Sequence, residues 1–182
     1  QKVAQTNYIC GVTGYGKTEL VKNYLKTREY TYYTCRNGRL QQLEQKDRKN
    51  KKKNKVVDGE GMTLQTIVID DLQFLREIED REQILSMIRD EAYWVILISR
   101  SSLLPWLKTI YMNEGMMQIT EEELIWRCQD VATYWQKHNE ETLSEAQVNE
   151  IHDFSKGNPL SIRSIAKLSL DHGGYDPEYL KQ

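Results

Sequence analysis

Cysteine and histidine are scarce in this sequence and long apolar runs are absent. The three cysteines, Cys10, Cys35 and Cys128, lie far apart with no C-x-x-C and no histidine pair nearby, which excludes a disulfide framework and a structural zinc site of the usual spacing. His138, His152 and His172 are dispersed and form no H-E-x-x-H, so no histidine metal centre is expected. No apolar run nears the about 20 residues that a membrane helix needs, and the polar start Gln1-Lys2 shows no signal-peptide pattern. A cytoplasmic location and no membrane partner are therefore expected.

What is present is a chain of 182 residues, 39% hydrophobic and 29% charged, enough for one globular domain or an α/β layer with a small helical appendage. The net charge is -2. The run from Lys46 to Lys55 holds seven basic residues and one Asp, so that run is net +6 and the remainder carries -8. The basic footprint is local, lacks interleaved aromatics, and reads as a solvated loop rather than a nucleic-acid platform. The chain opens on Gln rather than Met, and Asp176-Pro177-Glu178 reads as a helix start with few residues after it. The expectation is an excised piece of a longer polypeptide whose last helix is cut short.

Short apolar runs alternate with helical patterns. Strands are expected at Tyr8 to Cys10, Tyr30 to Thr34, Thr66 to Ile69, Trp94 to Ile98 and Met116 to Ile119. Helices are expected from about Gly16 to Lys26, with Leu20, Val21, Tyr24 and Leu25 on one face, and from about Arg81 to Glu91. Another fits around Leu40 and Leu43. Unbroken apolar strands between helices predict a parallel sheet covered on both faces, an α/β fold. After Ile119 only helices are expected. Thr120 with Glu123 makes a capping box opening a helix to about Lys137, Ser144 with Gln147 opens one to about Ser155, and Asn158-Pro159 opens one ending near Gly173-Gly174. The domains expected are an α/β unit over 1–119 and a helical subdomain over 120–182. Trp126, Tyr134 and Trp135 fall near helical spacing and are expected in the core of the latter. Trp106 is not placed by its surroundings in sequence.

Three segments carry chemistry. Gly11-Val12-Thr13-Gly14-Tyr15-Gly16-Lys17-Thr18 matches G-x-x-x-x-G-K-[ST] between a strand and a helix, the context a phosphate loop requires. Its glycines admit positive φ, its backbone N–H groups and helix start face the anion, Lys17 serves the β and γ phosphates, and Thr18 is a Mg²⁺ ligand. Next, Thr66-Ile67-Val68-Ile69-Asp70-Asp71 delivers two carboxylates at a strand's carboxyl end, where α/β sheets bind ligands. Asp70 would hold Mg²⁺ directly or through water, and Asp71 would orient or deprotonate the attacking water. Alone, such a pair is commonly a turn or helix cap; with the loop before it, the catalytic reading is preferred. Last, Trp94-Val95-Ile96-Leu97-Ile98-Ser99-Arg100 ends a buried strand on a guanidinium that would reach a γ-phosphate if its strand lies beside that of the loop.

Together with Gly157-Asn158-Pro159-Leu160, these segments resemble the STAND class of signal-transduction ATPases. Within it they resemble the ATPase module of the large LuxR-type transcription activators, the group that includes the maltose-regulon activator. The resemblance spans nearly the whole chain. It implies a P-loop NTPase three-layer fold with a five-stranded parallel sheet in the order 5-1-4-3-2, and it implies that Pro159 lies against adenine and ribose. Capping rules alone also explain Asn158-Pro159 as a helix corner. The candidate nucleotide-binding set is then Gly11, Val12, Thr13, Gly14, Tyr15, Gly16, Lys17, Thr18, Glu19, Arg100 and Pro159. The catalytic set is Lys17, Asp71 and Arg100, the metal set Thr18 and Asp70, and the cofactors ATP or ADP with Mg²⁺. Family members carry a segment before the first strand that helps hold adenine, and here about seven residues stand there. Downstream sensor and DNA-binding domains of the same polypeptide, self-association in the ATP-bound state, and no direct DNA contact by these residues are the expected partner relations.

A regulatory ATPase switch is the first reading. A small-molecule phosphotransferase has the same loop but should carry an arginine-bearing lid, and only Arg127 and Arg163 fall where a lid would lie, with no cluster. An AAA+-type nucleic-acid-associated ATPase is the third, with the Lys46 to Lys55 run as its support.

Overall fold

The computed structural model describes residues 6–43, 56–57 and 63–181. The Lys46 to Lys55 run lies outside the described residues. The chain divides into two compact units. One comprises Gln1–Val12 with Lys17–Thr120, and the other Thr13–Gly16 with Glu121–Gln182.

The first unit is built on a sheet. Strands β1 (Thr6–Cys10), β2 (Tyr30–Thr34), β5 (Thr63–Asp70), β6 (Tyr93–Ser99) and β7 (Met117–Ile119) are parallel, and β3 (Gln41–Leu43) and β4 (Val56–Val57) are antiparallel to their neighbours. The order is β3-β2-β5-β6-β1-β7, with β4 on β5 off that path. This corrects the expected five-stranded sheet: among the described residues six strands lie along the main path and β4 is a seventh, and the edge formed by β3 is antiparallel. The segment around Leu40 and Leu43 is accordingly strand and not helix. Gly38, at φ 83, turns the chain back so that Gln41 pairs with Thr34 and Leu43 with Tyr32.

The central strands are buried over their carboxyl-terminal halves, Val95 through Ser99 in β6 and Thr66 through Asp70 in β5, which is why these stretches read as continuous apolar runs. Tyr8, Ile67, Ile69, Leu72, Ile84, Leu97, Leu107 and Ile110 form one cluster, and Trp106 packs against it partly buried. Helix α1 (Lys17–Tyr24) is shorter than expected and buries Val21, with Leu25 just beyond, whereas Leu20 and Tyr24 are exposed. Tyr24 instead meets Trp94 edge-on, ring centroids 5.9 Å apart, and the Arg28 guanidinium lies over its ring. Helix α2 (Ile78–Arg89) starts one turn earlier than its apolar pattern, and α3 (Lys108–Asn113) follows a short 3-10 turn over Pro105–Leu107.

The second unit is helical. The single helix expected from Thr120 to Lys137 is two, α4 (Glu121–Leu124) and α5 (Cys128–Asn139). The break is chemical: the Trp126 N–H donates to Gly157 O at 3.0 Å, outside any helix ladder, and the Arg127 N–H donates to the Asp130 carboxylate at 2.8 Å, opening the second helix. Helix α6 (Glu145–Ser155) has the expected Ser144–Gln147 capping box, and α7 (Pro159–His172) has the expected Asn158 cap and ends at Gly173 in the left-handed region. A 3-10 turn covers Pro177–Lys181, and the Asp176 carboxylate accepts from Glu178 N. Trp135 is fully buried with Val131, Ile151, Ile162 and Ile165, and its indole N–H donates to Glu141; Trp126 and Tyr134 pack against the same cluster. No helix among the described residues is long and apolar enough to cross a membrane.

Gly157 is the tightest corner of this unit. Its φ is +69, and a methyl group there would lie 2.5 Å from Ile125 Cγ2 and 2.6 Å from Trp126 O. Gly157→Ala should therefore cost about 2 to 4 kcal/mol, read as a lower thermal midpoint. An unchanged melting curve would contradict this packing.

Candidate functional site

The turn after β1 is where the sequence leads one to expect the phosphate loop. Gly11, Gly14 and Gly16 all have positive φ, at 148, 102 and 74, conformations that cost a side-chain-bearing residue 1–3 kcal/mol by order of magnitude, about what strained backbone carries. At Gly14 a methyl group would also come within 3.0 Å of the Asn158 side chain and 3.1 Å of Leu160 Cβ, while at Gly16 it would meet nothing within 4 Å. The loop tip Thr13–Gly16 belongs to the helical unit, where Leu160 N–H donates to Gly14 O at 3.1 Å. Tyr15 is hydrogen-bonded to Glu121 and Asn158; burial first, then Glu121, raises its phenol above the ordinary value.

Lys17, the first residue of α1, is 8% exposed and turns its ammonium into the loop, donating to the carbonyls of Gly11 and of Val12, the latter at 2.8 Å. Thr18 and Asp70, 52 residues apart in sequence, meet directly: Thr18 Oγ1 donates to Asp70 Oδ2 at 2.7 Å. Asp70 ends β5, is 7% exposed, and accepts also from the Tyr32 hydroxyl on Oδ2 at 2.6 Å and from the Asp71 N–H on Oδ1 at 2.7 Å.

Asp71, 8% exposed, sits at φ 58 as the chain leaves β5 for a 3-10 turn over Leu72–Phe74. Left-handed backbone is tolerated by Asp better than by most residues. Asp71 Oδ2 accepts from Arg36 Nε at 3.1 Å, and its Oδ1 accepts from Gln73 Nε2 at 3.3 Å and lies 3.7 Å from the Arg100 guanidinium. Arg100 follows β6, whose Ser99 pairs with Cys10, the residue before the loop. Its backbone N–H donates to Gln73 Oε1 at 2.9 Å, and its guanidinium lies 5.5 Å from the centre of the Phe74 ring.

The structure thus brings Thr18 to Asp70 and Arg100 to Asp71, and folds Lys17 into the loop. Glu19 follows in the first turn of α1, and Pro159 is buried at the first position of α7 between Asn158 and Leu160. Three residues were missed by sequence reasoning: Tyr32, Arg36 and Gln73. The signal that points to the first two is the pairing of β2 with β5, which sets Thr34 opposite Asp70 and Tyr32 opposite Val68. Gln73, two residues beyond Asp71, carries no signal of its own.

The donors offered to a cation are all oxygens, Thr18 Oγ1 and Asp70, and this set suits a hard ion that keeps water and phosphate as its other ligands. Among the described residues no group of three or more His, Cys, Asp or Glu forms a metal site, so such an ion would rest on few protein ligands.

The fold is that of P-loop ATPases. RuvB of Thermotoga maritima, titled a Holliday junction branch migration motor, is similar with a TM-score of 0.57 at 14% identity, over 96% of this chain and 59% of that one. A Walker-type ATPase of Pyrococcus abyssi is similar with a TM-score of 0.61 at 12% identity, over 97% of this chain and 65% of that one. This chain therefore spans less than two thirds of either structure. No family model and no curated protein matches the sequence significantly.

Burial, with the Asp70 carboxylate beside it, raises the Tyr32 phenol above its ordinary 10.0. Folding favours the neutral phenol, so its stabilisation is whole below pH of about 10 and is lost as pH rises further. Tyr32→Phe should lose about 1 kcal/mol at neutral pH and show a shallower alkaline decline than the parent in urea unfolding. Equal alkaline slopes would remove Tyr32 as a contributor.

Proposed function

We propose that this chain is the ATP-binding, slowly hydrolysing switch module of a multidomain signal-transduction ATPase of the LuxR-type transcription-activator kind. The observation that carries the reading is the 2.7 Å bond from Thr18 to Asp70. It joins a glycine-rich loop to a buried strand end and pairs two hard oxygen donors, a set that suits a phosphate-bound Mg²⁺.

In this reading the backbone N–H groups of the loop and the ammonium of Lys17 bind the β and γ phosphates, Lys17 exchanging its loop carbonyls for phosphate oxygens. Thr18 and Asp70 would hold Mg²⁺, which would supply neutralisation of the developing phosphate charge. Asp71 orients a water and takes its proton. The water oxygen forms the new bond to the γ-phosphorus, the bond from that phosphorus to the bridging oxygen breaks, and its electron pair leaves with ADP. Arg100 reports the γ-phosphate by leaving Asp71 for it. Only a group that differs between ATP and ADP can shift a conformational equilibrium, and the γ-phosphate is that group.

In the same reading residues 1–119 are the nucleotide-binding unit and residues 120–182 the helical subdomain, with Pro159 against the base as the resemblance implies. Sensor and DNA-binding domains of the same polypeptide, and self-association in the ATP state, belong to the same proposal. So does a cytoplasmic setting. A nucleic-acid-associated ATPase is the second reading, favoured by the likeness to a branch-migration motor; DNA binding that weakens steeply with salt would support it, and its absence would remove it.

Lys17→Ala should weaken ATP binding by at least about 100-fold, since the loop loses the charge that offsets the phosphates; unchanged affinity by calorimetry would reject the site. Asp71→Asn should keep binding and lose phosphate release by about 10² to 10⁴-fold, and undiminished turnover would reject its role as base. ADP formation that depends on an added phosphoryl acceptor would replace the switch by a phosphotransferase.

A further inference from the structure

Asp71 is a buried carboxylate with more cationic partners than it needs for one charge. Arg36 Nε donates to Oδ2 at 3.1 Å, and Arg100 lies 3.7 Å from Oδ1, beyond hydrogen-bond range. The two guanidinia are held differently. Arg100 is 47% exposed, lies beside the Phe74 ring, and is anchored through its backbone, which bonds Gln73. Its head can move without disturbing the strand.

The backbone that carries Arg36 is fixed. Cys35 N–H donates to Asp70 O at 2.9 Å, extending the β2 to β5 ladder by one residue, and Gly38 N–H closes a turn on Cys35 O at 2.8 Å. Beyond the turn, Asp80 at the start of α2 accepts from Arg39 Nε at 2.8 Å and Leu40 N at 3.0 Å, and Arg76 N–H donates to Gly38 O at 3.0 Å. The Arg39 pair holds the Asp80 carboxyl below its ordinary value. This segment is tied at both ends to the strand and helix that flank Asp71, so Arg36 is presented to that carboxylate by the fold.

Resting on the nucleotide reading above, we infer that Arg36 is a positioning residue that releases Arg100 to sense the γ-phosphate. If Arg100 left a carboxylate that had no other cation, a buried charge would stand unpaired, and that cost would oppose the move. With Arg36 bonded to Oδ2 and Gln73 to Oδ1, Asp71 stays satisfied and Arg100 is free to exchange one anion for another. Arg36 acts through Asp71 and needs no contact with the nucleotide.

The test is a double-mutant cycle on the whole chain, reading the ratio of ATP to ADP affinity by calorimetry in the presence of Mg²⁺. R36A should lower that ratio about five-fold, the scale of a modest coupling between sites, because Arg100 becomes the sole cation on Asp71. R36K should recover part of it, since a lysine restores charge without the planar fork. In a D71N background, where no buried charge remains to satisfy, R36A should change nothing further. Thermal unfolding of R36A should stay close to that of the parent, because Arg36 is 74% exposed. A ratio unchanged by R36A, or lowered equally with and without D71N, overturns the inference and leaves the nucleotide site standing. Unchanged ATP affinity in K17A overturns the site and this inference with it.

Discussion

Two adjacent carboxylates buried at the end of a central strand are the constraint around which this molecule is arranged. Asp70 and Asp71 leave β5 where the sheet would otherwise be apolar, and an unpaired charge there would be costly. The fold meets the cost by sending donors from several elements to each. Asp70 takes Thr18 from α1, Tyr32 from β2 and its neighbour's N–H. Asp71 takes Arg36 from beyond β2, Gln73 from the turn that follows it, and the guanidinium of Arg100 from beyond β6. Asp71 itself sits at φ 58, where the chain leaves the strand for the turn that brings Gln73 to it.

Much of this was legible in the sequence because it is local or rests on burial. The glycine spacing of residues 11 to 16 specifies a loop that only unbranched backbone can form, and positive φ at all three glycines follows. The apolar runs ending in Asp70 and Ser99 mark strands buried on both faces. The caps at Ser144 and Asn158 are bonds between residues three apart, and both formed. What escaped depends on partners far off in sequence. The expected helix from Thr120 is split because Trp126 bonds Gly157, thirty-one residues later. The segment near Leu40 is strand because β2 offers it an open edge, where helical spacing of two leucines is too weak to compete. Tyr32 and Arg36 read as ordinary strand and turn residues until β2 is known to lie against β5.

The site's charge arrangement supports the proposal of a phosphate-bearing ligand over a neutral one. Lys17, Arg36 and Arg100 against Asp70 and Asp71 leave one formal positive charge, and the loop adds N–H dipoles of the same sense. Lys17 at present bonds neutral carbonyls, and Arg100 keeps a loose ion pair. In the proposed reading Arg100, 3.7 Å from Asp71, exchanges that pair for phosphate, whereas Arg36, bonded at 3.1 Å, stays.

A likeness in fold to a branch-migration motor and to another Walker-type ATPase does not choose between motor and switch, because the same fold serves both. The choice turns on where the phosphate-sensing cation comes from and what it leaves behind. Here a candidate resides in the same chain as the loop, one residue past a strand that pairs with the loop's own strand. In the proposed reading, a sensor supplied in this way would respond to bound nucleotide without waiting for a partner. That property belongs to a device whose state is set by its ligand, and assembly can then follow from that state.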